Sequence, residues 1–159
     1  MMTFFAISGL LNGLTSFGLG LFVLLTNRRR PLNQIYFLFT LSVAIWGWGY
    51  FFWPISETKS AALNSFRLLH FGAVFVPICY YHFVLVLTGL LERRKTSIFI
   101  GYLLAIVFAC SIPTRLYIYD MVPKFIFKFW AVPGVLYHFY LLYFFAYVML
   151  AVSNLWREA

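Results

Sequence analysis

Long apolar stretches occupy almost all of this 159-residue chain, and its charged residues lie between the stretches or at their ends. A lipid bilayer offers no water to hydrogen-bond a bare backbone, so a crossing segment must be helical or part of a closed barrel. A barrel would show alternating segments of about 10 residues, whereas these stretches are continuous. The sequence therefore predicts an all-α, polytopic helical bundle with five transmembrane helices.

Each stretch is close to the ~20 residues that a helix needs to cross a hydrocarbon core of ~30 Å. Only 10% of the residues are charged, so a soluble fold with five successive buried helices is disfavoured. All five helices are assigned to one domain, residues 1–159. Their predicted bounds are Thr3–Thr26, Leu32–Trp53, Arg67–Leu91, Thr96–Pro113 and Val132–Trp156.

The net charge of +8 comes from basic residues beside helix ends, notably Arg28–Arg30 and Arg93–Lys95. Cytoplasmic loops carry such an excess and meet anionic lipid headgroups, so the bilayer is the expected partner and nucleic acid is not. With these two loops and Arg157 inside, the N-terminus lies outside and the C-terminus in the cytoplasm of an inner-membrane, multi-pass protein. Five basic residues then lie outside: Lys59, Arg67, Arg115, Lys124 and Lys128.

The first helix carries small residues on one face: Gly9, Gly13, Ser16 and Gly20 recur at spacings of four, three and four. Such a stripe lets a neighbouring backbone approach closely, so it predicts a helix-packing seam. Asn12 borders the stripe, and we expect it to form an interhelical hydrogen bond, with a ligand contact as the alternative.

The second helix ends in an aromatic block, residues 46–53, with Gly47 and Gly49 interleaved. Amphipathic rings favour the headgroup level, which predicts that Trp53 lies in an interfacial belt. Trp46 lies about 10 Å deeper at the helical rise, so it should face another helix or a cavity. Trp48 is a candidate for the same cavity.

The third helix contains Pro77, which removes a backbone hydrogen bond and should kink the helix. His70 and His138 fall at a depth comparable to the aromatic block, and ionisable groups within membranes are costly enough to be functional candidates. We therefore predict an outward-opening ligand pocket among the second, third and fifth helices. A satisfied structural hydrogen bond is the alternative role for each histidine, His82 included.

The segment from Arg115 to Trp130 is too polar to span the bilayer. Its aromatic residues alternate with Lys124 and Lys128, which predicts a short extracellular hairpin capped around Asp120–Pro123. An interfacial segment with its aromatic rings among the headgroups is the alternative.

Other classes of function find little support in the sequence. All four carboxylates lie in loops or in the tail, which disfavours a secondary transporter. The chain has no Gly-rich phosphate loop, no paired carboxylates and no Cys/His set with metal-ligand spacing, so no catalysis, metal or cofactor is expected. Cys79 and Cys110 fall on different predicted helices and imply no disulfide framework.

Several motifs resemble the N-terminal seven-transmembrane sensor region of bacterial histidine kinases. They are RRRPLN at 28–33 and AIWGWG at 44–49, RLLHFG at 67–72, VP at 76–77, YHF at 81–83 and LTG at 87–89, and PGVLYH at 133–138. The resemblance covers essentially the whole chain. It implies a sensory membrane module that relatives fuse to a cytoplasmic kinase, PAS domain or diguanylate cyclase.

The chain departs from that pattern because only the first five helices are present and no phosphoacceptor histidine or ATP-binding domain follows. We therefore expect a signal-input module, truncated before two further helices and an output domain, with an extracellular or membrane-soluble stimulus and a homodimer as one arrangement. A membrane-embedded subunit of a transport or assembly complex is the alternative. A lipid-directed enzyme using His82 or His138 as base is disfavoured because no acidic partner is near in sequence.

Overall fold

The computed structural model describes residues 2–158, with side chains for residues 2–157. A two-stranded antiparallel hairpin lies between the last two helices, and a 3₁₀ turn, Glu92–Arg94, precedes the fourth. The helices are α1 (Met2–Thr26), α2 (Pro31–Phe52), α3 (Lys59–Leu87), α4 (Lys95–Ser111) and α5 (Val135–Glu158), and the strands are β1 (Ile118–Lys124) and β2 (Phe127–Pro133).

Within the described residues, 5 helices are long and apolar enough to cross a membrane. The predicted all-α membrane bundle is thereby confirmed, and the side on which each terminus lies stays a prediction. The start of α1, the α2–α3 loop and the hairpin lie at one end of the bundle. We call this the hairpin end, and the opposite end, with Arg28–Arg30 and Arg93–Lys95, the arginine end.

The predicted bounds of α3 are wrong at both ends. The helix begins at Lys59 rather than Arg67 because the Thr58 side chain caps it, accepting a hydrogen bond from the Ala61 backbone N–H at 3.2 Å. It ends at Leu87 because Gly89 adopts a left-handed φ of 73° and the next N–H turns back to the carbonyl of Leu85. Similarly, α5 begins at Val135 rather than Val132, since β2 continues through Pro133.

The centre of the bundle is α3, which packs against α2, α4, α5 and the hairpin, while α1 packs against α2. More than half of the most apolar part of α3 is buried, and every other spanning helix is buried to a much smaller extent. Because α2 and α5 both pack on α3, any space between them is floored by α3.

The glycines of the small-residue stripe lie in the α1–α2 contact. Gly9, Gly13 and Gly20 are buried, and Ser16 is half-buried. A Cβ atom added at Gly9 would lie 2.9 Å from the Gly47 carbonyl oxygen, so only hydrogen fits there. Asn12 accepts a hydrogen bond from Ser16 at 3.5 Å within α1, in place of the interhelical bond that we expected.

Pro77 lies buried inside α3, where its lack of an N–H leaves the Ala73 carbonyl without its helical donor. The Tyr140 hydroxyl of α5 donates to that carbonyl at 3.4 Å, and the Tyr143 hydroxyl donates to the Val74 carbonyl at 3.2 Å. In a medium without water, such a neighbour must supply the missing donor. Tyr140 thus compensates for the proline, Tyr143 adds a second hydrogen bond from α5 to α3, and the kink at Pro77 stays a prediction.

The predicted hairpin forms, but its turn lies at Phe125–Ile126 and not at Asp120–Pro123. Asp120 is instead paired with Val132 inside the ladder. Its carboxylate accepts from the Met121 N–H at 2.8 Å and pairs with Lys59 at 2.6 Å.

Trp53 fixes the hairpin to the end of α2. Its indole N–H donates to the Phe129 carbonyl at 2.7 Å, and its ring stacks on Phe127 with a centroid separation of 4.9 Å. Only 4% of Trp53 is exposed, so its ring packs within the protein, and its position at headgroup depth stays a prediction. A second hydrogen bond connects the hairpin to the α2–α3 loop: the Lys128 ammonium donates to the Glu57 backbone carbonyl at 3.1 Å.

Candidate ligand cavity between α2, α3 and α5

A cavity of about 420 Å³ lies near the hairpin end, with α3 as its floor and α2 and α5 as its walls. Trp130 of the hairpin covers one end. The exposed side chains Trp46 and Leu141 stand on opposite walls, so the cavity opens on the flank of the bundle between α2 and α5. The lining residues are Val43, Trp46, Tyr50, Phe66, Leu69, His70, Ala73, Val76, Trp130, Tyr137, Tyr140, Leu141 and Phe144.

Helical periodicity explains which residues of α3 form the floor of the cavity. Phe66, Leu69, His70 and Ala73 stand at positions i, i+3, i+4 and i+7 of α3, and residues at these spacings share one helix face. Ala73, the smallest of them, leaves room where a larger side chain would meet α5. The depth of the cavity therefore depends on one methyl group at this position.

His70 is the polar centre of the floor and is only 5% exposed. Its Nδ1 shares a hydrogen bond of 3.1 Å with the hydroxyl of Tyr117, which lies in the segment just before β1. The Phe66 ring lies 4.7 Å from the imidazole, and Tyr137 and Tyr140 meet it edge-on at 5.4 and 5.8 Å. An imidazole surrounded by aromatic rings in this way is held in one orientation.

Tyr117 is fully buried. Burial raises the pKa of its hydroxyl, and the neighbouring Tyr140 and Tyr137 raise it further. The phenol therefore stays protonated at neutral pH and can donate to a neutral imidazole. Since Tyr117 belongs to the hairpin segment and His70 to α3, this bond couples the hairpin to the floor of the cavity.

The structure brings together two of the four predicted pocket residues, Trp46 and His70. Trp48 faces α1 instead, where its ring lies 5.7 Å from that of Phe17. His138 is exposed, and its Nδ1 lies 3.2 Å from the Gly134 carbonyl oxygen, outside the cavity. A ligand role for any of the four stays a prediction.

The angular spacing of a helix explains this division. Each residue turns the helix by about 100°, so Trp48 lies about 160° around α2 from Trp46, and His138 lies about 100° from Tyr137 on α5. Depth in the membrane was enough to select these residues, but depth does not determine the helix face.

Sequence reasoning missed the tyrosines of the α5 wall. Tyr137 and Tyr140 line the cavity, and Tyr143 and Tyr147 continue the same face of α5 toward α4; their spacings of three, three and four would have predicted a hydroxyl-bearing face. Tyr117 gave no comparable signal because it lies outside any periodic segment.

A second histidine–tyrosine pair lies apart from the cavity. The Nδ1 of His82 shares a hydrogen bond of 3.0 Å with the Tyr102 hydroxyl, which joins α3 to α4. Across residues 2–158, no three His, Cys, Asp or Glu side chains come close enough to hold a metal ion.

The geometry combines a multi-pass helical bundle with an aromatic cavity at one end. A family model described as the N-terminal 7TM region of histidine kinase matches residues 9–159. The chain belongs to this family. The resemblance drawn from the sequence motifs is thereby confirmed, and the chain is a multi-pass membrane sensor region of the histidine kinase type.

In that family the 7TM region is a non-catalytic module of the kinase. The comparison with curated proteins and the comparison with solved structures each gave no match. The family thus establishes that the chain is a sensor region, and the α2–α3–α5 cavity is the feature of this chain that a ligand could occupy.

Proposed function

We propose that this sensor region is a signal-input module whose stimulus is a small membrane-soluble molecule bound in the α2–α3–α5 cavity. The observation that carries the proposal is the cavity itself. Its volume of about 420 Å³ lies within the ~300–1,000 Å³ that is usual for small-molecule sites. In this proposal the chain performs no catalysis of its own.

The lining sets the chemistry of the ligand. Nearly all of it is aromatic or aliphatic, which favours a flat apolar molecule. The few polar side chains, chiefly His70, favour one hydrogen-bonding substituent. Since the cavity opens on the flank of the bundle, the ligand would enter from the bilayer and not from water.

Signal relay follows from the fact that three helices line one cavity. A ligand shifts a conformational equilibrium only when its affinity differs between the two states. Contact with α2, α3 and α5 together makes affinity depend on their separation, and α5 continues to the arginine end. By the excess of basic residues we place that end in the cytoplasm of an inner-membrane protein.

Binding can be tested with the purified chain in lipid nanodiscs and the fluorophore 1-aminoanthracene, a flat aromatic ring system with one amino group. We expect saturable fluorescence enhancement for the natural chain. Ala73→Leu should abolish it because the added methyl groups fill the floor of the cavity. Ala146→Leu makes the same chemical change on the exposed face of α5 and should bind normally. Equal binding by both variants would place the probe elsewhere.

Relay can be tested by hydrogen exchange in the last two turns of α5. Saturating 1-aminoanthracene should alter exchange of the amides near Asn154 in the natural chain and leave them unchanged in Ala73→Leu. Binding without any change at this end would contradict the relay step while leaving the ligand site intact.

A further inference from the structure

A second cavity, of about 210 Å³, lies at the arginine end between the α3–α4 connection and the last turn of α5. Its lining is unlike that of the ligand cavity, because three of the five lining residues are arginines. They are Leu90, Arg93, Arg94, Asn154 and Arg157.

The fold brings these residues together from two distant parts of the chain. Gly89, at a φ of 73°, ends α3 and turns the chain so that the 3₁₀ turn carrying Arg93 and Arg94 lies beside the end of α5. Asn154 is buried, and its amide donates to the Leu150 carbonyl at 2.6 Å. The backbone turn at Gly89 thus places Arg93 and Arg94 beside the last turn of α5, which carries Arg157.

Among the side chains that the structure describes, the charges around this cavity are unbalanced. Glu92, the carboxylate of the same connection, pairs with Lys95 at 2.5 Å. Arg93, Arg94 and Arg157 thus contribute three positive charges to one small space, where like charges repel. The side chain of Glu158 lies outside the described residues. An anion among the three guanidinium groups would remove their mutual repulsion, and the planar, multidentate guanidinium suits phosphate oxygens.

We propose that this cavity binds the phosphate headgroup of an anionic phospholipid. The cavity lies where the spanning helices end, which is the depth of lipid headgroups. Its one apolar lining residue, Leu90, lies next to α3 and offers a surface for the start of an acyl chain. Basic pockets between helix ends at the cytoplasmic face are suited to such headgroups. The site is independent of the aromatic cavity at the hairpin end.

The proposal can be tested with the purified full chain in zwitterionic nanodiscs doped with phosphatidylglycerol, by native mass spectrometry of retained lipid. A direct hydrogen bond to a charged phosphate contributes roughly tenfold or more to the affinity, so the triple variant Arg93→Gln, Arg94→Gln, Arg157→Gln should weaken phosphatidylglycerol retention on the order of 100-fold or more. The matched control replaces Arg28, Arg29 and Arg30 by Gln, which removes the same charge from another loop at the same end. Because a zwitterionic disc doped with little phosphatidylglycerol has a weak surface potential, this control should retain the lipid within about threefold of the natural chain.

Equal losses in the two triple variants would overturn the proposal, since they would show attraction to general surface charge. Arg94→Lys keeps the charge but not the planar fork, and it should lower retention severalfold if phosphate is bound directly. Unchanged retention in this variant would likewise contradict the site. Inorganic phosphate in large excess over the lipid should not displace phosphatidylglycerol, and complete displacement would identify a free phosphate site. A normal helical circular dichroism spectrum for each variant excludes misfolding as the cause of a loss.

Discussion

Substitution of Gly47 by alanine tests whether the α1–α2 seam depends on backbone contact. In the structure, a Cβ added at Gly47 would lie 2.8 Å from the Gly13 nitrogen, 2.9 Å from the Gly9 oxygen and 3.0 Å from the Gly13 Cα atom. All three are backbone atoms, so no side chain can rotate away to make room. The two helices must separate instead.

The size of the effect follows from these distances. Non-bonded heavy atoms prefer separations of about 3.5–4.0 Å, so the helices must move apart by roughly 0.5–1 Å. A gap of that size forfeits a quarter to a half of each dispersion contact along the seam. Overpacking of this kind costs about 1–3 kcal/mol, and we expect Gly47→Ala to destabilise the bundle by that amount.

The assay is equilibrium unfolding of the detergent-solubilised chain by increasing SDS mole fraction, followed by tryptophan fluorescence. Gly18→Ala is the matched control, because a Cβ at Gly18 of α1 meets no atom within 4 Å. That variant should stay within about 0.5 kcal/mol of the natural chain. If Gly47→Ala is as stable as Gly18→Ala, close backbone packing does not hold α1 to α2 and the reasoning from the glycine stripe fails.

Three further results are expected. Tyr140→Phe removes the donor to the Ala73 carbonyl that Pro77 leaves free, so it should lower the free energy of unfolding by about 1 kcal/mol in the same assay. In a Pro77→Ala background, where a backbone N–H is restored, the same substitution should lower it by less. Trp53→Phe loses the indole hydrogen bond to β2, so limited proteolysis should cut the hairpin turn faster than in the natural chain. The hydrogen bond from Lys59 and that from a backbone N–H hold the pKa of Asp120 below its usual value of 3.8. The ionised Asp120 carboxylate therefore stabilises the fold above pH 3.8, and this stabilisation is lost as the pH falls through the lower pKa of the folded state. The hairpin should loosen below about pH 4, which tryptophan fluorescence should detect. Asp120→Asn should remove this pH dependence.

The candidate site was only partly predictable. His70 and Trp46 could be selected because charge and amphipathic rings are costly inside a membrane, and their depth can be counted along a helix. His138 and Trp48 were selected by the same reasoning, yet they face other directions. The helix face that meets a cavity depends on which neighbours pack where, and this information is not local to either helix.

The hairpin shows a similar limit. Alternation of aromatic and charged residues predicted two strands, but Asp120 was assigned to the turn on its residue type. In the structure Lys59 of α3 pairs with its carboxylate, and Asp120 lies in the ladder, while Phe125 and Ile126 form the turn. Pairing with β2 and with a lysine distant in sequence thus accompanies the ladder position of Asp120, and neither partner is visible from the local sequence.

The sequence by itself determined a five-helix membrane bundle, because long uncharged segments can satisfy their backbones in lipid only as helices, and its motifs indicated the histidine kinase sensor family. The tertiary structure alone decided which side chains share a cavity, that Tyr140 of α5 satisfies the carbonyl freed by Pro77, and where three arginines converge. The physical reason is range: helix formation depends on hydrogen bonds four residues apart, whereas each site depends on packing between segments that are distant along the chain.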